Sequence, residues 1–142
     1  MTIENYLQEA SALATLAGIL GGFAFSAVVQ LLGLEKQSKV LTASIITFAF
    51  SSMLSFYAVI VFVFSLAAAA EANQVLDQLD VSGAGGLLSL LAGVYIFLVG
   101  VALAGWIRSK VTGIATTAFA VFTMCITGYT VLSIISSLPV VQ

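Results

Sequence analysis

Apolar residues run almost unbroken along this chain, and a few polar clusters divide them into four blocks. The first block is Ala10–Leu34. The second opens near Val40 and fades across Ala67–Ala70, the third covers Gly86–Ile107, and the fourth Gly113–Leu138. Each meets the ~20 residues that an α-helix needs to cross a bilayer. Barrel strands alternate between faces and are only about 10 residues long, so continuous blocks predict helices. The expected fold is therefore all-α: a polytopic integral membrane protein with one four-helix transmembrane domain, a four-helix bundle, over residues 1–142.

Two of the connections are short. "EKQSK" joins helices one and two, and "RSKVT" joins helices three and four, so both pairs are expected to be antiparallel neighbours. The middle connection, "AAAAEANQVLDQLDVSGAGG", is longer. Its first part tolerates helix, which predicts that helix two extends beyond the membrane to about Asp80. "SGAGG" is then expected to break the helix and turn the chain into helix three. Before the first block, Ile3, Tyr6, Leu7 and Ala10 fall at helical spacing and lead into helix one. This opening segment is acidic and has no basic n-region, so it is expected to be retained rather than cleaved as a signal.

Composition makes the bilayer reading firm. Hydrophobic residues make up 61% of the chain and charged residues 7%, whereas soluble domains carry about 25% charged residues. The chain has one Cys and no His. That removes intrachain disulfides and imidazole acid–base or metal chemistry. No nucleophile–base pair, metal cluster or phosphate loop is evident, so neither enzyme activity nor a cofactor or metal is expected. The expected partners are the lipid bilayer, further copies of the chain and small ions, with no nucleic acid. Cys125, in the middle of helix four, reads as a small packing residue.

Charge predicts orientation. Lys36 and Lys39 lie in the first connection and Arg108 and Lys110 in the third, which accounts for all four basic residues. The positive-inside rule then makes loops 35–39 and 108–112 cytoplasmic, with the termini and residues 71–85 on the opposite side of a plasma or inner membrane. Five of the six acids, Glu4, Glu9, Glu71, Asp77 and Asp80, fall on that outer side. Glu71, Asp77 and Asp80 are candidates for attracting cations to a mouth, or they are simply a solvated helix end. Their spacing is not that of a calcium loop.

Small and hydroxyl residues form the remaining pattern. In "ASALATLAGILGGFAFSAVVQ" every fourth residue from Ala10 is small (Ala14, Gly18, Gly22, Ser26), and the series ends on Gln30. Small ridges let membrane helices pack closely. The same ridge could line a narrow polar path, with Gly18, Gly22, Ser26 and Gln30 as candidate pore-lining residues; Gln30 lies near the cytoplasmic end, so the alternative for it is an amide that reaches the headgroups. Ser44, Thr47, Ser51 and Ser55 make a hydroxyl stripe on helix two, and Thr116, Ala120, Thr123, Thr127 and Thr130 make one on helix four. Such hydroxyls often bond their own helix's carbonyls. Gly86, Gly93 and Gly100 recur every seven residues and read as a packing seam. Trp106, next but one to Arg108, reads as an interfacial anchor.

The segment "GGFAFSAVVQLL", Gly21–Leu32, resembles the first membrane helix of the Orai calcium channels, which carries an "SGFA" motif followed by a Glu. Gly22, Phe23 and Ala24 match the motif, Ser26 falls at a pore-facing position, and Gln30 stands where that family has its Glu. The resemblance implies a central ring of first helices, and the amide at Gln30 implies no anionic selectivity ring. Three functions remain open: a homo-oligomeric, cation-conducting pore; a non-conducting accessory subunit of a membrane complex; or a small-solute transporter. No charge lies inside any block, which argues against a buried coupling carboxylate or a voltage sensor.

Overall fold

A computed structural model describes residues 2–35, 38–73 and 77–137, with the side chains of 77–81, 134–135 and 137 outside the description. Four helices account for nearly all of it: α1 (Ile3–Leu32), α2 (Lys39–Ala72), α3 (Asp77–Arg108) and α4 (Lys110–Ser137). All four are long and apolar enough to cross a membrane, which makes the chain an integral membrane protein. The 34 residues of α2 extend about 51 Å at 1.5 Å per residue. A hydrocarbon core is about 30 Å thick, so α2 is longer than a span requires.

Local signals set the helix ends. The Thr2 hydroxyl accepts a hydrogen bond from the Asn5 N–H at 3.4 Å and caps α1, with Glu4 in its first turn. Ser38 caps α2 in the same way, accepting from the Leu41 N–H at 3.1 Å. Two boundaries differ from the sequence reading. Helix α2 stops at Ala72, where Asn73 takes up a left-handed conformation (φ 50°). Asn tolerates that region better than most residues. Helix α3 then begins at Asp77 and runs straight through "SGAGG". Glycine does not break α3 there, and at Gly86 the absence of a side chain serves close packing: a Cβ would sit 3.0 Å from Val61 Cγ1 and 3.2 Å from the Phe62 ring. The expected "RSKVT" loop also shrinks, to Ser109 alone. Ser109 Oγ accepts from the Thr112 N–H at 3.1 Å and caps α4.

The helices pack in chain order. α2 lies against both α1 and α3, α1 and α3 meet only briefly, and α4 packs on α3 alone. The array is open rather than the closed four-helix bundle expected. Its principal seam runs along α2 through Leu41, Ser44, Phe48, Ser51, Ser55, Ala58, Phe62, Ser65 and Ala69, all buried. Alternating steps of three and four define the heptad seam of a left-handed crossing. One apolar cluster gathers Ala17, Ala58, Phe62 and Leu90; a second gathers Ala24, Val28 and Phe48. In the second, the Phe48 and Phe97 rings meet edge to face at 5.4 Å.

The glycines of α3 divide by what surrounds them, and that division gives a test. A Cβ at Gly100 would stand 2.9 Å from the Phe48 ring and one at Gly93 would stand 3.1 Å from Ser55 Oγ, whereas Gly83 and Gly85 have nothing within 4 Å. Gly83→Ala and Gly85→Ala should each stabilise the fold by about 0.5–1 kcal/mol through lower backbone entropy of the unfolded chain. Gly100→Leu should destabilise it by about 1–3 kcal/mol through overpacking. Unfolding in mixed micelles, followed by helical circular dichroism, reads both signs.

Candidate functional site: the outer ridge of α1 and the serine seam of α2

The small ridge of α1 is not a single face. Residues four apart on an α-helix are offset by about 40°, so the five steps from Ala10 to Gln30 wind through about 200°. Ala10 is buried, and Ala14 and Gly18 are half-buried. A Cβ on Gly18 would lie 3.9 Å from Val59 Cγ2 of α2, while one on Gly22 would meet nothing within 4 Å. Ser26 and Gln30 are exposed, and the Gln30 Nε2 donates to Ser26 Oγ at 3.3 Å. Of the four candidate pore residues, Gly18 thus lies on the flank toward α2. Gly22, Ser26 and Gln30 share the open side. The buried face of α1 follows a heptad instead: Ala10, Ala17, Gly21, Ala24 and Val28.

The stripe on α2 occupies the interior. Ser44, Ser51 and Ser55 have no exposed surface, and Ser52 and Ser65 are nearly as buried. Two of these hydroxyls bridge helices. Ser51 Oγ donates to the Gly93 carbonyl of α3 at 2.8 Å, and Ser52 Oγ donates to the Gly21 carbonyl of α1 at 3.2 Å. Ser55 Oγ donates back to the Ser51 carbonyl at 2.9 Å. Its own bulk fills the space between the two glycines: a Cβ at Gly21 would come within 3.2 Å of Ser55 Cβ. Ser44 and Thr47 bond their own helix, at Val40 and Ala43. Ser52 did not stand out in the sequence, because it is one residue off the stripe.

On α4, Thr123, Thr127 and Thr130 donate to the carbonyls four residues back. Within the stripe it is Thr116 that reaches another helix, donating to the Ala102 carbonyl at 3.4 Å as well as to the Thr112 carbonyl at 2.9 Å. Trp106 does more than anchor. Its Nε1 donates to Thr117 Oγ1 at 3.1 Å, and its ring lies against Gly113. The Tyr95 hydroxyl donates to the Met124 carbonyl at 3.4 Å. Cys125 does not pack inside: it is exposed and lines an apolar groove with Trp106 and Phe122.

Antiparallel packing separates the charges. Lys39, Arg108 and Lys110 stand at one end of the array, and Glu4, Glu9 and Glu71 at the other. Glu71 is exposed in the last turn of α2. Asp77 and Asp80 fall in the first turn of α3, where acids favour the positive end of the helix dipole; their side chains lie outside the described residues. Among the described residues there is no cluster of metal-ligating side chains and no buried side-chain polar atom without a partner. No family model, curated protein or solved structure matches the chain.

Hydrogen bonds between membrane helices contribute on average about 0.6 kcal/mol each, with a maximum near 1.7. Ser51→Ala and Ser52→Ala should therefore each cost about 0.5–1.5 kcal/mol in micellar unfolding. Thr123→Ala, which breaks only a bond within α4, should cost less than 0.5 kcal/mol in the same measurement.

Proposed function

We propose that the chain forms a homo-oligomeric pore for small ions, cations above all, with α1 of each copy along the shared path. The observation that carries this reading is the open side of α1. Gly22, Ser26 and Gln30 stand there without a neighbouring helix. An amide facing lipid hydrocarbon is unfavourable, and membrane helices cover such groups with one another. A ring of α1 helices gives each Gln30 polar neighbours and leaves room at Gly22 and Ser26. Among the described residues, serine and glycine close the level of Gly21, Ser51 and Gly93 between α1, α2 and α3, which favours a path outside the single copy.

The exposed carboxylates Glu4, Glu9 and Glu71 at one end favour cations over anions near the mouth. By the positive-inside rule the opposite end, with Lys39, Arg108 and Lys110, faces the cytoplasm. The ring arrangement also accords with the resemblance of Gly21–Leu32 to the first helix of the Orai channels. The α2 hydroxyls that a small-solute transporter would use are buried and bonded, which favours a pore over a transporter. One observation supports the accessory-subunit reading: α4 packs on α3 alone and leaves most of its surface open to another protein's helix.

Purified protein in liposomes should pass Na⁺ or K⁺ down a gradient and pass Cl⁻ more slowly, with Ca²⁺ completing the panel. Gln30→Ala and Ser26→Ala should change the cation flux several-fold. Glu4→Gln with Glu71→Gln should reduce cation preference most at low ionic strength, where screening is weakest. Intact oligomers that pass no ion under any gradient or voltage would replace the pore with the accessory subunit, as would isolation only within a larger complex.

A further inference from the structure

At the basic end a cleft of about 780 Å³ opens between the last turn of α1 and the last turn of α3. Leu31 and Leu34 form one wall, and Ala104 and Ile107 form the other. The rim is ionic, with exposed Arg108 on α3 and exposed Glu35 just past α1. The cleft exists because α1 and α3 meet only briefly, so their ends are not sealed against each other.

Basic groups outnumber acidic ones at this end. α2 and α4 both start here, each starts on a lysine, Lys39 or Lys110, and neither has an acid in its first turn. A cation at a helix N-terminus adds to the positive end of the dipole instead of offsetting it. Arg108 is the cation that lines the cleft, and the two lysine starts stand at the same end of the array without lining it. Glu35 and the last carbonyls of α1 oppose these cations in part, for α1 has no basic residue in its last turn. Arg108, in the last turn of α3, offsets the carbonyls there.

A negative group on an apolar body complements a cleft of this kind, and basic pockets between membrane helices are where anionic headgroups bind. We propose that the cleft holds one anionic phospholipid from the surrounding bilayer, its phosphate against Arg108 and an acyl chain between the α1 and α3 walls. The site needs only the cleft walls and Arg108, so it holds whether or not the chain conducts.

Native mass spectrometry of the detergent-solubilised protein, titrated with phosphatidylglycerol or phosphatidylcholine, tests the site. Phosphatidylglycerol should be retained in preference to phosphatidylcholine. Arg108→Gln should weaken phosphatidylglycerol by about fivefold, the effect of one cation beside an anionic headgroup. Glu35→Gln should strengthen it, a gain that a misfolded variant would not give. Equal retention of the two lipids in the unaltered chain would overturn the proposal. So would an Arg108→Gln variant that loses both lipids alike, or a pair of variants that both bind as the unaltered chain does.

Discussion

The closeness of α1, α2 and α3 at one level of the fold governs everything around it. Gly21 and Gly93 present bare backbone to α2, and α2 answers with Ser51, Ser52 and Ser55. Water cannot drive helices together in lipid, because the tails are as apolar as leucine. What remains is fit, together with a few hydrogen bonds. Serine suits both needs, being small enough to let the backbones approach and able to donate to the carbonyl that then comes within reach. Above and below this level the seam widens to accept Phe62 and Phe48, each set against a glycine of α3, Gly86 and Gly100.

This constraint also accounts for where polarity lies. Inside, the buried polar side chains of the described residues are all serines, and none lacks a partner. The amide of Gln30 has only Ser26, one turn away on its own helix. The contrast between a closed serine interior and an open amide is what directs attention to the outside of α1. The charged groups follow a separate logic, set at the two ends by the antiparallel order of the helices.

Much of this was legible in the residues. The four helices, the seam of Gly86, Gly93 and Gly100, and the local bonds of Thr123, Thr127 and Thr130 all follow from spacing. The start of α3 was legible and was misread. Asn73 is a good left-handed terminator, and Asp77 and Asp80 suit a helix start, yet "SGAGG" looks like the stronger break. In water it would be one; among membrane helices glycine also serves close packing. The twist of the Ala10–Gln30 ridge was a matter of arithmetic, since steps of four drift around a helix and steps of seven nearly do not. The isolation of α4 was not legible. A helix facing lipid and a helix facing protein are equally apolar, so hydropathy does not say which neighbours a span has.

The one-residue link at Ser109 sets how α4 can move. Helices α3 and α4 are clamped there by Gly105 against Thr116 and by Gly113 against Trp106, pairs with no room for an added methyl group. Farther along, the Tyr95–Met124 bond is long at 3.4 Å, and α4 has no helix behind it. Mechanically α4 is a cantilever, fixed at its basic end and supported from one side. Its restraint therefore falls toward Thr127 and Thr130, and any lateral force on the helix does the most work at that free end.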